Sequence, residues 1–210
     1  MKLLNKILAI GGLSLIITGC GLLDPVPAPV IKYYKLDFNG TKDMTAGCSV
    51  PQNAPVMQIS IFKVDDPFNT HSMYYSKNTS QLMSYTENKW VAIPAKMLTQ
   101  VTQEKLLGSC LYSNVISSDF MTSSNYRLAA QVLDFKQVIA NESSVMQLSV
   151  LVQLIDNKSN SVIMSKVFAE QSSTTPDISG YVNGANKVTN MYLDNLVTWL
   201  SSNHPEKIEK

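Results

Sequence analysis

Residues 145–155 alternate so strictly that few architectures can hold them. Met146, Leu148, Val150, Val152 and Leu154 fall at every second position, with Gln147, Ser149, Leu151 and Gln153 between them. Successive side chains of a strand point to opposite faces, so this run reads as a strand with one buried and one partly solvated face. Residues 126–139 and 162–171 are of similar character, and the joins, Ala140-Asn141-Glu142 and residues 156–160, are short and polar. Three such runs predict an antiparallel meander. Leu151 and Ile155 make the second face partly apolar, which leaves two outcomes open: cover from elsewhere in the fold, or a partner.

Shorter strands are expected in the first third. Tyr33-Tyr34-Lys35-Leu36 opens it, and residues 56–64 place Met57, Ile59 and Ile61 on one alternating face. A turn follows at Asp65-Asp66-Pro67, then two short strands, 72–76 and 81–85, around the polar loop 77–80. Trp90-Val91-Ala92-Ile93 leads into Pro94, which is favoured at a first helical position because it needs no N–H there and presets φ. The first helix therefore runs over 94–107, with Met97, Leu98, Val101, Leu106 and Leu107 as its apolar positions and Gly108 as its stop. A second helix is expected over 178–201, with Ile178, Val182, Ala185, Val188, Tyr192, Leu196 and Trp199 three to four residues apart and packed on the sheet. The fold class is α+β: a largely antiparallel β-sheet with two main helices packed on one face, strand order left open.

At the other end, Lys2 and Lys6 precede an apolar run from Ile7 to Ile17, and Ile17-Thr18-Gly19-Cys20 closes it. The run is well short of the ~20 residues that span a bilayer and has the layout of a secretory signal. A cysteine directly after the small residues makes it a bacterial lipoprotein signal. Residues 1–19 are then removed, and Cys20, carrying acyl chains, becomes the first residue. At ~0.8 kcal/mol per buried methylene, two or three chains anchor a protein stably. Gly21 lacks the aspartate of an inner-membrane retention signal, so the expected place is the outer membrane, facing the periplasm. Pro25, Pro27 and Pro29 make residues 24–29, within a lipidated and proline-rich tether over 20–30, extended chain that reaches about 20 Å. A single periplasmic domain is expected over 31–202, and the polar tail 203–210 is expected to fray.

The chain has a formal net charge of +1 and no long basic run, which argues against nucleic acid as a partner. Cys48 and Cys110 remain once Cys20 is lipidated. An oxidising compartment favours a disulfide between them, which would close a loop of about sixty residues and contribute ~4 kcal/mol; the alternative is two free thiols. Two cysteines without neighbouring histidines fall short of a zinc site. His71 and His204 are the only two histidines, phosphate-loop and Gly-x-Ser-x-Gly motifs are missing from the sequence, and Asp65-Asp66 reads as a solvated turn. No catalytic residue, metal ligand or cofactor is expected, and the chain is read as a non-enzyme.

Tyr34-x-Leu36, then Met73-Tyr74, Leu82, Tyr85, Trp90, Pro94 and Leu98, and further on Tyr126-Arg127-Leu128, Asp134-Phe135, Phe168 and Trp199-Leu200 stand in an order that resembles the ABC-type transport auxiliary lipoprotein family. That family includes the intermembrane transport lipoproteins of paraquat-inducible and MCE-type lipid transport systems. One departure is a single proline at Ile93-Pro94 where the family often has two. The resemblance implies a non-enzymatic accessory on the outer membrane that binds the MCE-domain protein of an inner-membrane ABC transporter, with phospholipid as cargo. A homo-oligomer also fits, as do two other readings: a small-ligand or lipid carrier, and an assembly cofactor of a cell-envelope enzyme. Tyr33, Tyr34, Tyr74, Tyr75 and Tyr85 are the candidate partner-binding residues, the alternative for each being a place in the core. Leu36, Met73, Trp90, Pro94 and Trp199 belong to the family pattern as structural positions.

Overall fold

The computed structural model describes residues 28–37, 49–78, 80–120 and 122–203. Residues 1–27, with Cys20, residues 38–48, with Cys48, and residues 204–210 lie outside the described residues. In chain order the elements are β1 (Lys32–Tyr34), β2 (Val56–Ile59), β3 (Lys63–Val64), β4 (Ser72–Asn78), β5 (Gln81–Trp90), α1 (Pro94–Gly108), β6 (Asn114–Ser117), β7 (Tyr126–Ala140), β8 (Ser143–Asp156), β9 (Ser161–Thr174) and α2 (Ile178–Ser202). A compact unit begins at Ile31.

All nine strands form one sheet built around β7. One edge of β7 is occupied along its length by β8, antiparallel, and β8 by β9. The other edge is shared end to end by β2, β3 and β4, each parallel to β7. Strand β5 continues the sheet from β4 as an antiparallel hairpin, β1 adds to β5 in parallel, and β6 adds to β2 in parallel. The meander and the α+β class thus stand as expected, with the long antiparallel ladders dominant and five short parallel pairings added on the far side of β7. The turns of the meander use Asn141 and Asn160, both at positive φ, a conformation that asparagine tolerates better than most residues.

Leu107, expected among the apolar positions of α1, is 45% exposed, and β4 and β5 run on to Asn78 and Trp90, past the expected ends at 76 and 85; a further expectation fails for a reason of register. Ile61 does not share the buried face of Met57 and Ile59; it is 49% exposed, and Phe62 is buried instead. The register explains why. Ile59 lies opposite Leu128 and Lys63 opposite Gln131, so four steps on one strand match three on the other. An inserted residue reverses the side-chain parity beyond it. The Phe62 N–H leaves the ladder and donates to Thr99 Oγ1 on α1 at 2.9 Å. Strand β7 has a bulge of its own at Leu133, where Val132 lies opposite Val150 and Asp134 opposite Ser149. Leu128, Ala130 and Val132 before that bulge and Phe135 after it are all buried on the same face.

Helix α1 starts at Pro94, as the sequence expectation has it, and its last turn is closed by Ser109 Oγ donating to the Leu106 carbonyl at 2.7 Å. Helix α2 is capped by Asp177, whose carboxylate accepts from the Gly180 N–H at 2.7 Å. That bond, with a second from the Thr175 side chain, holds the Asp177 carboxyl below the usual carboxylate range. The buried stripe of α2 is wider than expected and takes in Tyr181, Gly184, Leu193 and Leu200, while Ile178, Val182 and Trp199 are only partly covered. At Gly184 the helix comes so close to the sheet that an added Cβ would lie 2.8 Å from Met146 Cβ and 3.5 Å from Thr174 Cβ. Trp90 stacks on Phe135 with centroids 5.8 Å apart and meets Tyr181 at 5.8 Å, joining β5, β7 and α2.

Among the described residues β9 pairs only with β8, so it forms an edge of 14 residues. Long free edges invite pairing with other chains, and natural sheets blunt them with lysines, bulges and inward charges. All three occur here: Lys166 on the strand, an extra residue between Val162 and Met164, and Glu170, buried and accepting from Asn195 Nδ2 at 2.8 Å.

Two outcomes follow from this packing. Gly184→Val should lower unfolding stability by about 1–3 kcal/mol in urea titration, because overpacking at Met146 outweighs the gain in helix propensity. Burial also pushes the phenols of Tyr112, Tyr181 and Tyr192 above their ordinary 10.0. The native chain then keeps protons that the unfolded chain releases. Stability is full below the unfolded phenol pKa and is lost as pH rises through the folded values. The urea midpoint should fall as pH rises above about 10, and the part of the tyrosinate absorbance that belongs to these buried phenols should appear together with unfolding.

Candidate functional site

The five candidate tyrosines lie on β1, β4 and β5, but the structure does not gather them into one patch. Tyr33, opposite Lys89 on edge strand β1, is 63% exposed. Tyr34, one residue on, is half-buried and donates its hydroxyl to Asn88 Oδ1 at 3.2 Å. Tyr74 packs edge-on against Phe68 at 5.6 Å. Tyr75 and Tyr85 lie 4.9 Å apart, and Tyr85 meets Tyr181 at 5.7 Å. The last pair therefore heads a ladder of rings, Tyr75, Tyr85, Tyr181, Trp90 and Phe135, that descends from the surface to the centre of the core. Of the structural set, Trp90 and Met73 are fully buried, Leu36 is buried, Pro94 opens α1, and Trp199 packs edge-on against Phe168 at 5.7 Å.

Below Tyr85 lies a polar network absent from the sequence expectations. The Tyr85 hydroxyl donates to Gln137 Oε1 at 2.9 Å, and Gln137 Nε2 donates to Ser144 Oγ at 3.0 Å and to the Thr175 carbonyl at 2.7 Å. Ser144 Oγ in turn donates to the Thr174 carbonyl at 3.0 Å. Gln137 is fully buried, so these bonds are what make its place in the core tolerable. Burial, with Tyr75 and the Asp177 charge nearby, raises the Tyr85 phenol. Deeper in, the Tyr181 hydroxyl and Trp90 Nε1 face one another without hydrogen-bond geometry. Gln137 escaped notice because its inward direction depends on the bulge at Leu133. Tyr181 had a signal, since it lies three residues after Ile178 and four before Ala185.

His71 Nδ1 lies 3.0 Å from the Trp90 carbonyl, which can only accept, so that nitrogen carries the hydrogen. The Asp65-Asp66 pair sits in the expected turn, closed by the Phe68 N–H donating to the Asp65 carbonyl at 3.0 Å. Among the described residues no group of three His, Cys, Asp or Glu side chains is placed to hold an ion. Cys110 is disulfide-bonded.

Among the described residues there are open clefts of about 310 Å³ in two places. The first lies between the segment after β1 and α1, lined by Leu36, Asp37, Val91, Met97 and Glu104 among others. The second lies on the face of the sheet opposite the core, where Ile61, Lys63, Arg127, Gln131, Leu151 and Ile155 converge.

No family model and no curated protein matches the sequence. Solved structures do match in shape. Protein XCC0632 from Xanthomonas campestris, of the DUF330 family, superposes with a TM-score of 0.69 at 14% identity, over 87% of this chain and 98% of that one. A second crystal structure, of an uncharacterized protein, gives a TM-score of 0.60 at 13% identity over 81% of this chain and 99% of that one. At such identities the likeness establishes a shared fold. This chain therefore has the architecture of the DUF330-type protein across nearly all of that protein's length.

Proposed function

We propose that the chain is a lipoprotein anchored through Cys20 to the outer membrane, facing the periplasm, and that it acts as a non-enzymatic accessory of an ABC/MCE-type intermembrane lipid transport system by binding the MCE-domain conduit. The observation that carries this reading is where the family-like pattern falls in the fold. Leu36, Met73, Trp90, Leu98, Leu128, Phe135, Phe168 and Leu200, spread over most of the chain, all enter one buried core. Isolated aromatic and apolar positions are weak signals. Eight that occur in family order and close on one another in space support a common architecture, behind a signal that places the domain on a membrane.

A tether of about 20 Å falls far short of crossing the periplasm, so a lipid route through this protein needs a bridging partner. Tyr33 is the exposed aromatic among the candidates and lies on an edge strand, where a partner strand or loop gains both ring contact and backbone bonds.

The test is mild crosslinking in intact cells, capture through a tag after Lys210, and mass spectrometry. An MCE-domain protein and its permease are the expected catch, with Tyr33→Ala reducing their yield at least several-fold while leaving thermal stability unchanged. Recovery of peptidoglycan enzymes or of free lipid alone would overturn the reading.

A further inference from the structure

The outer face of the sheet carries a groove that neither the sequence nor the transport reading assigns. Its floor is set by cross-strand register. Arg127 lies opposite Ile155, Ala129 opposite Gln153 and Gln131 opposite Leu151, all pointing away from the helices. Ile61, turned outward by the extra residue between β2 and β3, forms one wall together with Ser60 and Lys63. Ile155 is buried yet stands apart from the main core cluster, which marks a second, smaller apolar centre on this face. The apolar floor extends towards β9, where Val162 lies opposite Ile155 and Val167 opposite Leu151, each 51% exposed.

The charge in the groove is one-sided. Lys63 and Arg127 both line it, and neither has an acidic partner among the described residues, where the ion pairs are Lys105–Asp194 and Lys136–Asp134. Arg127 donates from one terminal nitrogen to Asn160 Oδ1 at 3.2 Å, but its Nε is buried and meets no acceptor. Because that atom has no accessible surface, an anion in the groove would meet the guanidinium through its other N–H groups, whose fork suits a phosphate. The nearby carboxylate, Asp65, is held by Gln131 Nε2 at 2.7 Å on the rim. A volume of about 310 Å³ is at the small end of ligand sites, fit for a headgroup and the first acyl carbons and too small for a whole lipid.

We propose that this groove binds the headgroup and proximal acyl carbons of an anionic phospholipid, with Arg127 and Lys63 on the phosphate and Ile61, Leu151 and Ile155 along the chain, which continues over Val162 and Val167. The site deepens the transport reading, on which its physiological setting rests, by giving this chain its own contact with lipid. The occupant follows from the combination of groups: two unopposed cations select a phosphate, and an apolar strip leading away from them selects an acyl tail.

The experiment uses the full chain in neutral detergent, irradiated with phosphatidylglycerol carrying a diazirine on a proximal acyl carbon. Adducts are expected on Ile61, Leu151, Ile155 or Val167, with labelling about tenfold weaker for the matching phosphate-free diacylglycerol, since a lost charge-assisted bond is worth about that factor. Lys63→Gln, a change at an exposed position, should lower phosphatidylglycerol labelling several-fold with an unchanged melting curve, and adding Arg127→Gln should abolish the preference between the two lipids. Adducts confined to other surfaces, equal labelling by both lipids, or indifference to Lys63→Gln would overturn the site. Capture of the MCE-domain protein is scored separately: labelling without capture keeps the site and removes the accessory reading, and capture without labelling does the reverse.

Discussion

Strand β7 must satisfy two neighbours at once, and the rest of the fold is arranged to let it. On one edge it pairs with β8 from end to end; on the other it serves β2, β3 and β4 in succession. Every one of these partners has to present its apolar side to the same face, because a shift of one residue sends a whole strand to the wrong side. A single strand cannot hold that parity against three separate segments without adjustment. The adjustments are the bulges: one residue gained between Ile59 and Lys63, and one at Leu133.

On the helix side, those bulges align one continuous core. Phe135 comes under Trp90, Tyr181 comes down beside both, and Gly184 lets α2 settle against Met146. Close approach is what makes a buried polar residue affordable at this end of the sheet. Gln137 reaches Ser144 and the Thr175 carbonyl because the segment entering α2 lies directly over β7 and β8. The Asp177 cap and the Gln137 network thus depend on the same packing, one fixing the start of the helix and the other fixing the sheet beneath it.

On the other side, the same bulge has a different consequence. The residue it displaces, Ile61, joins Leu151 and Ile155 on a face that the two helices leave open, beside Lys63 and Arg127. The apolar second face of β8, visible as Leu151 and Ile155 among polar neighbours, is therefore part of a groove with directional charge. The aromatic candidates fare differently. Tyr75 and Tyr85 lead inward as a ladder to the core, and Tyr33 is left as the exposed ring.

Local pattern alone determined the meander, both helices with their starts at Pro94 and Ile178, the turn at Asp65-Asp66-Pro67 and the α+β class. Each of these is governed by interactions within a few residues: side-chain alternation, a proline's fixed φ, a cap's hydrogen bond, a turn's closure. Only the tertiary structure decided the parallel pairings on the far edge of β7, the short strand Asn114–Ser117, the outward turn of Ile61 and the inward turn of Gln137. These depend on which segment lies beside which. Val115 and Ile116 become a strand because β2 offers a free edge, and the parity of Ile61 is set by counting residues against a strand some seventy positions away. The groove is illegible for the same reason: its walls come from three separate segments brought together by register, and no one segment holds more than four of its ten lining residues.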